Sequence, residues 1–199
     1  MSQTIDNDKR VRPFFAILIF PMVALAGLAL DLKTKDWAFI TLGMPGEYRW
    51  QTHPEQEGTY WIWANVLGFQ TSLNPGALFG LGAGQSGLFA ALSFVALGGI
   101  LAWIAHSAWK SRVLTLTLAM ISAGILGNLY DRLGLHGLRW SDVPVYAVRD
   151  WILVMIGSYH WPNFNIADSL LVCGTILLIL QTLFEKEKGN ERAGTSDQG

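Results

Sequence analysis

Four apolar runs constrain this chain more than any other feature: residues 14–30, 88–105, 113–130 and 167–184. Three carry no charged residue, and the fourth carries only Asp168 near its start. Each approaches the roughly 20 residues that a helix needs to cross a bilayer. Because lipid offers the backbone no hydrogen-bond partners, such runs are expected to be helices. Composition agrees: 51% of the 199 residues are hydrophobic and 15% charged, against about 25% charged in soluble domains. The expectation is one membrane domain over residues 1–199, with four spans.

Lys9, Arg10 and Arg12 precede the first run, and Ala24-Leu25-Ala26 offers a small-x-small pattern like that of a cleaved signal. The run continues apolar past Ala26, so it is expected to persist as an uncleaved span. An even span count puts both termini on one side. The N-terminal tail, the 106–112 connection (Lys110, Arg112) and the tail after 184 (Lys186, Lys188, Arg192) share that side, which the positive-inside rule makes cytoplasmic. Lys33, Lys35, Arg132 and Arg149 fall on the other side near span ends and call for partners. Residues 185–199 are polar and expected to be a disordered tail.

Two long extracytoplasmic segments remain, 31–87 and 131–166. The first holds Trp37, Trp50, Trp61 and Trp63, with strand-compatible pieces at 48–52 and 59–69. A small aromatic-rich sheet at the membrane surface is expected; a plain anchoring belt of tryptophans is the alternative. The glycine-rich stretch Gly76 to Gly84 suits a short interfacial helix or flap. The fold class is therefore membrane all-α with a small β addition: a four-transmembrane-helix bundle with an extracytoplasmic β-rich cradle.

A net charge of −1 argues against nucleic-acid binding, which needs a basic stripe. Cys173 has no partner for a disulfide and reads as a small buried or lipid-facing hydrophobe. His53, His106, His136 and His160 lack metal-ligand spacing, so zinc is disfavoured. Four short spans make a monomer the default.

The polar residues gather at the outer ends of the spans. Asp31 and Lys35 close the first, Asn74 precedes the flap, and Asn128, Asp131 and Arg132 close the third. Asp150 lies in the second outer segment, and Asn165 and Asp168 open the fourth span. Ala119, Ala123, Gly127 and Asp131 recur every four residues, so one helix face of small residues turns toward the bundle and carries Asn128 with it. Asp150 and Asp168 are the candidates for chemistry. Two adjacent carboxyls cannot both ionise, and such a dyad can activate water and polarise a carbonyl. The residues equally allow Asp150 to pair with Arg149 or Arg132 and Asp168 to cap the fourth helix.

Gly127-Asn128-Leu129-Tyr130-Asp131-Arg132 resembles the GNxxDR signature of lipoprotein signal peptidases (signal peptidase II), and Phe164-Asn165-Ile166-Ala167-Asp168 resembles their (F/Y)NxAD signature. Asp31, Thr34 and Lys35 are similar to the family's DQxSK-like segment, Asn74, Gly76, Ala77 and Phe79 to its NxGAxF segment, and Asp150-Trp151-Ile152 to its VVDFI box. The likeness covers all four spans in order. It implies an aspartic endopeptidase of the bacterial inner membrane with Asp150 and Asp168 as the catalytic dyad. Asn128, Arg132, Asn165 and Ala167 would orient dyad and substrate, and Asn74 and Gly76 would shape the cleft. Asp31, Lys35 and Asp131 would give structural support. The implied substrate is a diacylglyceryl-modified prolipoprotein drawn from the lipid and cut just before its modified cysteine, with no metal or organic cofactor. The pattern departs at Leu32, Lys33 and Pro75, and at 133–148, where a longer stretch contains His136, Arg139, Asp142 and Pro144. Asp142 thus competes with Asp150. Arg149 replaces an apolar residue and is expected to point away from the dyad. A transporter, a membrane protease with a GxGD motif and a non-enzymatic scaffold are the other classes; the spans lack a charge relay, the motif is missing, and a scaffold leaves the converging carboxylates unexplained.

Overall fold

The computed structural model describes residues 3–46, 58–76, 82–107 and 111–196. The strand piece at 48–52, Trp50, His53, Lys110 and residues 77–81 of the glycine-rich stretch, with Ala77 and Phe79, lie outside the described residues. Four helices form: α1 (Gln3–Leu42), α2 (Ser86–Ser107), α3 (Arg112–Arg132) and α4 (Ile166–Ser196). Each contains a stretch long and apolar enough to cross a bilayer. Their outward faces carry exposed Leu25, Val95, Ile176 and Leu183, as a hydrocarbon solvent requires.

Three boundaries differ from the sequence expectation. α1 does not close at Asp31 and Lys35 but runs on to Leu42. Those two side chains pair with each other at i and i+4 and are wholly buried, and Ala38, Phe39 and Leu42 beyond them enter the core. α4 does not give way to a disordered tail at 185 but stays helical to Ser196, and α1 already begins at Gln3. Glu, Lys, Arg and Ala are good helix formers, and extending an existing helix avoids the cost of nucleation.

α3 is the central helix, packed by α1, α2 and α4. Ala119, Ala123, Gly127 and Asp131 are all buried on it. A Cβ at Gly124 would strike the Ala167 carbonyl and Leu171 of α4, and one at Gly27 of α1 would lie 2.8 Å from the Ala123 Cβ. Close approach in lipid rests on such small residues. Ser111 caps the N-terminus of α3 by accepting the Leu114 N–H at 3.2 Å. Gly134, at φ +70°, ends it with a Schellman pair: Gly134 N–H to Asp131 O at 2.9 Å and Leu135 N–H to Tyr130 O at 3.2 Å.

The segments joining the helices at one end of the bundle build an antiparallel sheet of β1 (Tyr60–Trp63), β2 (Leu67–Asn74), β5 (Val148–Ile156) and β6 (Tyr159–Phe164), in that order. Half of it comes from the second outer segment, where no strand was expected. A separate hairpin, β3 (Arg139–Trp140) with β4 (Val143–Pro144), occupies the longer 133–148 stretch. Ser141 and Asp142 both have positive φ, the requirement of a two-residue type I′ turn. The sheet is seated on the end of α1 by Ala38, Phe39, Leu42 and Trp151, with Phe69, Leu73, Leu138 and Ile152 around them. Trp151 meets Phe69 and Trp37 edge-on, at centroid distances of 5.1 and 5.7 Å. Successive side chains of a strand point to opposite faces. Arg149 and Trp151 therefore turn toward α1, against Asp36 and Trp37, while Asp150 turns to the opposite face, toward Asn165 at the start of α4.

Candidate active site

Asp150 comes from β5 and Asp168 from the first turn of α4, and both line a cleft of about 850 Å³. The walls also include Asn74, Asn128, Arg132, His160 and Asn163, and the cleft runs down α4 to Leu171, Val172 and Cys173. Val172 and Cys173 are exposed on the outer surface of α4. One end of the cleft is thus polar and the other opens on an apolar helix face.

Two asparagines tie the carboxyls together. Asn165 Nδ2 donates to Asp150 Oδ1 at 2.6 Å and to Asn128 Oδ1 at 3.2 Å, and Asn128 Nδ2 donates to Asp168 Oδ1 at 2.7 Å. Asn128 Oδ1 also receives Lys35 Nζ at 3.1 Å. With two donors on its oxygen, the Asn128 amide can only aim its nitrogen at Asp168. Asn165 precedes α4 as its N-cap: its Oδ1 accepts the Asp168 N–H at 2.9 Å, while Asp168 Oδ2 accepts the Asn165 N–H at 3.2 Å. This is a reciprocal capping box. Asp168 therefore caps the helix and faces the cleft at once.

Asp150 is 2% exposed. Burial, reinforced by the charge of Asp168, holds its carboxyl well above the usual carboxylate range, and Lys35 with hydrogen bonds from Asn165 and Asn74 only partly offsets this. Asp150 thus keeps its proton where ordinary carboxyls have lost theirs.

Beneath the cleft lies a buried ionic cluster. Lys35 Nζ sits 2.7 Å from Asp31 Oδ2 and 3.2 Å from Asp131 Oδ2, with all three side chains fully buried. Asp31 Oδ1 accepts the Ala167 N–H at 2.8 Å, which satisfies a second free donor at the start of α4. A Cβ on Gly127 would collide with the Asp31 carboxylate, so the glycine of the signature makes room for an ion pair. Ala167, fully buried between α3 and α4, packs under the cleft rather than in it. Arg132 reaches the rim, donating to Gly76 O at 3.3 Å and standing 5.5 Å from the Phe89 ring centroid. Gly76 is held in turn by its N–H to Asn74 Oδ1 at 3.0 Å.

Arg149 points away from Asp150, as expected. Its guanidinium lies against Asp131 Oδ1 at 3.0 Å and Asp36 Oδ1 at 2.5 Å. Asp142 stands in the exposed turn of the β3–β4 hairpin and does not line the cleft. Sequence reasoning missed Asp36, and it missed Gln70 and His160 on the cleft wall. The signal for the wall was the uninterrupted strand-forming run Trp151 to Ile156; once it is a strand, its neighbours β2 and β6 must flank the site.

Comparison with known proteins gives a consistent result. The family model for signal peptidase (SPase) II matches residues 23–184. The lipoprotein signal peptidase of Rhodopirellula baltica is 45% identical over 175 residues, covering 82% of this chain and 71% of the relative. That of Bacillus pumilus is 30% identical over 174 residues, covering 87% and 98%. A solved bacterial membrane enzyme shares the fold with a TM-score of 0.68 at 23% identity, covering 85% of this chain and 90% of that one. The matched residues span all four helices and the sheet between them, and the chain belongs to the signal peptidase II family of membrane peptidases.

Proposed function

We propose that this protein is an aspartic endopeptidase in which Asp150 and Asp168 cut diacylglyceryl-modified prolipoproteins just before the lipidated cysteine. The observation that carries the reading is the linked pair itself: two carboxyls on one cleft, joined through Asn165 and Asn128, with Asp150 held protonated by burial. Asp150 in its acid form donates a hydrogen bond to the scissile carbonyl. Asp168, as the carboxylate, takes a proton from water as the water oxygen attacks the carbonyl carbon. The acid proton of Asp150 passes to the carbonyl oxygen and gives a tetrahedral diol, which collapses when the proton on Asp168 passes to the leaving nitrogen, the C–N bond breaks and one diol hydroxyl returns its proton to Asp150. Each group is then back in its starting state, and no outside co-reactant is needed.

The cleft also supports the substrate class. It begins at the dyad and ends on the exposed, apolar surface of α4 at Val172. Acyl chains on a cysteine beside the scissile bond can stay in the bilayer while the peptide meets water. The distribution of lysines and arginines supports a topology with both termini in the cytoplasm and the cleft at the extracytoplasmic face. The test is to incubate purified protein with a diacylated prolipoprotein and with its unlipidated form. Cleavage of the lipidated form alone, abolished in folded Asp150→Asn and Asp168→Asn, is the expected result. Full activity in either variant removes the dyad.

A further inference from the structure

Arg149 is a fully buried cation one residue from a carboxyl that must stay protonated, and the reaction as described does not use it. Its attachments are unusually many. Its backbone N–H donates to Asp131 Oδ2 at 2.9 Å and its Nε to Asp131 Oδ1 at 3.1 Å, so amide and guanidinium clasp the same carboxylate. Its Nη1 reaches Asp36 of α1 at 2.5 Å. On the other side, its carbonyl accepts Asn165 Nδ2 at 3.4 Å, from the amide that also holds Asp150. The backbone leading into Asp150 is therefore fixed at both polar atoms of Arg149.

We infer that Arg149 is a positioning residue for Asp150, anchoring the end of β5 to α1 and α3 through Asp36 and Asp131; this rests on the dyad reading above. A second route runs through charge. Asp31, Lys35 and Asp131 are all buried and by themselves sum to −1; Arg149 makes the set neutral. Without it, Lys35 would be the one ion pair left to Asp131 among the described residues, and Asp131 would draw Lys35 Nζ away from Asn128 Oδ1. The clamp on the amide that holds Asp168 would then slacken. Arg149 thus sets one aspartate through the backbone and the other through Lys35. The planar guanidinium, with its parallel donors, suits this clasp in a way an ammonium does not.

The test compares Arg149→Leu, Arg149→Lys and Asp36→Asn in the full chain in detergent, with the diacylated prolipoprotein as substrate and thermal unfolding run alongside. For folded Arg149→Leu, kcat is expected to fall about 100-fold, the scale of a displacement of about 1 Å at a reacting group. KM should change by less than about threefold, because the substrate-contacting walls are untouched. Arg149→Lys should recover part of kcat, and Asp36→Asn should lower it about threefold. In an Asp131→Asn background, Arg149→Leu should cost clearly less than in the wild type, since the contact with Asp131 is already weakened and chiefly that with Asp36 is left to lose. Wild-type kcat in folded Arg149→Leu, or losses that simply multiply in the double variant, overturns the inference. If Arg149→Leu does not fold, wild-type kcat in both Arg149→Lys and Asp36→Asn overturns it instead. Asp150→Asn and Asp168→Asn run in the same assay separate the two readings. If either retains activity, the dyad fails and the inference with it; if both are dead while Arg149→Leu is unimpaired, the inference alone fails.

Discussion

Replacing Gly127 by alanine adds one methyl group where α3, α1 and α4 meet over the Asp31 carboxylate. The new Cβ would overlap Asp31 Oδ2, lie 3.0 Å from its Cγ and 3.1 Å from the Ala167 Cβ. The carboxylate has nowhere to retreat. Oδ2 is held by Lys35 at 2.7 Å, Oδ1 by the Ala167 N–H at 2.8 Å, and the side chain is fully buried. Forcing a methylene-sized group into a packed site costs about 1–3 kcal/mol, and loss of one hydrogen bond to a charged group adds about 1.5–3 kcal/mol. The sum is about 3–6 kcal/mol, a large part of the ~5–15 kcal/mol that holds a typical domain together. Gly98→Ala is the control, because a Cβ there meets nothing within 4 Å; in a helix it should add about 0.5–1 kcal/mol of stability. The assay is reversible unfolding of purified protein in detergent micelles. Gly127→Ala should lose several kcal/mol, and any folded fraction should cleave poorly, since the Ala167 contact positions the turn that carries Asp168. Equal stability of the two variants would refute the close-packed ion pair and the role of this glycine.

Three further predictions concern pH and the seat of the sheet. The folded-state pKa of Asp150 is raised above its ordinary 3.8, so the folded protein binds more protons than the unfolded chain between 3.8 and the raised value. Its contribution to stability is fully present below 3.8 and is lost as pH rises through the folded value. Asp150→Asn, which cannot ionise, should therefore gain on wild type in melting temperature as pH rises across that window; a constant difference contradicts the assignment. The alkaline limb of kcat/KM for the wild type should likewise lie above the usual carboxylate range. Trp151 is 6% exposed and packs edge-on against Phe69 and Trp37, so Trp151→Ala should cost about 3–5 kcal/mol. Unfolding in detergent measures it, and a loss under about 1 kcal/mol would mean that the sheet is held elsewhere.

The bundle was legible because apolar runs of bilayer length permit little else, and the α3 face was legible because small residues every four positions have one meaning in lipid. The depth of Asp31 and Lys35 was not. An ion pair looks like the end of a hydrophobic segment when only composition is counted, yet at i and i+4, facing two more polar groups, it becomes part of the interior and the helix continues to Leu42. The second half of the sheet was obscured for a related reason. Val148-Arg149-Asp150 interrupts an apolar strand with two charges, and only pairing with β2, Ser72 opposite Asp150 and Leu73 opposite Arg149, separates them onto opposite faces. The partner of a strand is a tertiary fact, so electrostatics could indicate the direction of Arg149 where residue spacing was silent.

The residues around Asp168 allowed two readings, a helix cap or a catalytic group, and the geometry leaves room for both at once. The reciprocal cap with Asn165 uses one oxygen of Asp168, Asn128 takes the other, and an ionised carboxylate accepts about four hydrogen bonds in all. Acceptor capacity is left for a water in the cleft. A cap also fixes its side chain to the helix start, which is how a rotatable carboxylate acquires the set orientation that proton transfer needs. The spacing of asparagine and aspartate three apart is thus required twice, once to close the first turn of α4 and once to hold Asp168 at the distance where the Asn165 amide reaches Asp150. A change that loosens the cap, such as Asn165→Ala, removes the support of both carboxyls together, so its effects on helix stability and on catalysis cannot be separated by choosing a milder substitution at that position.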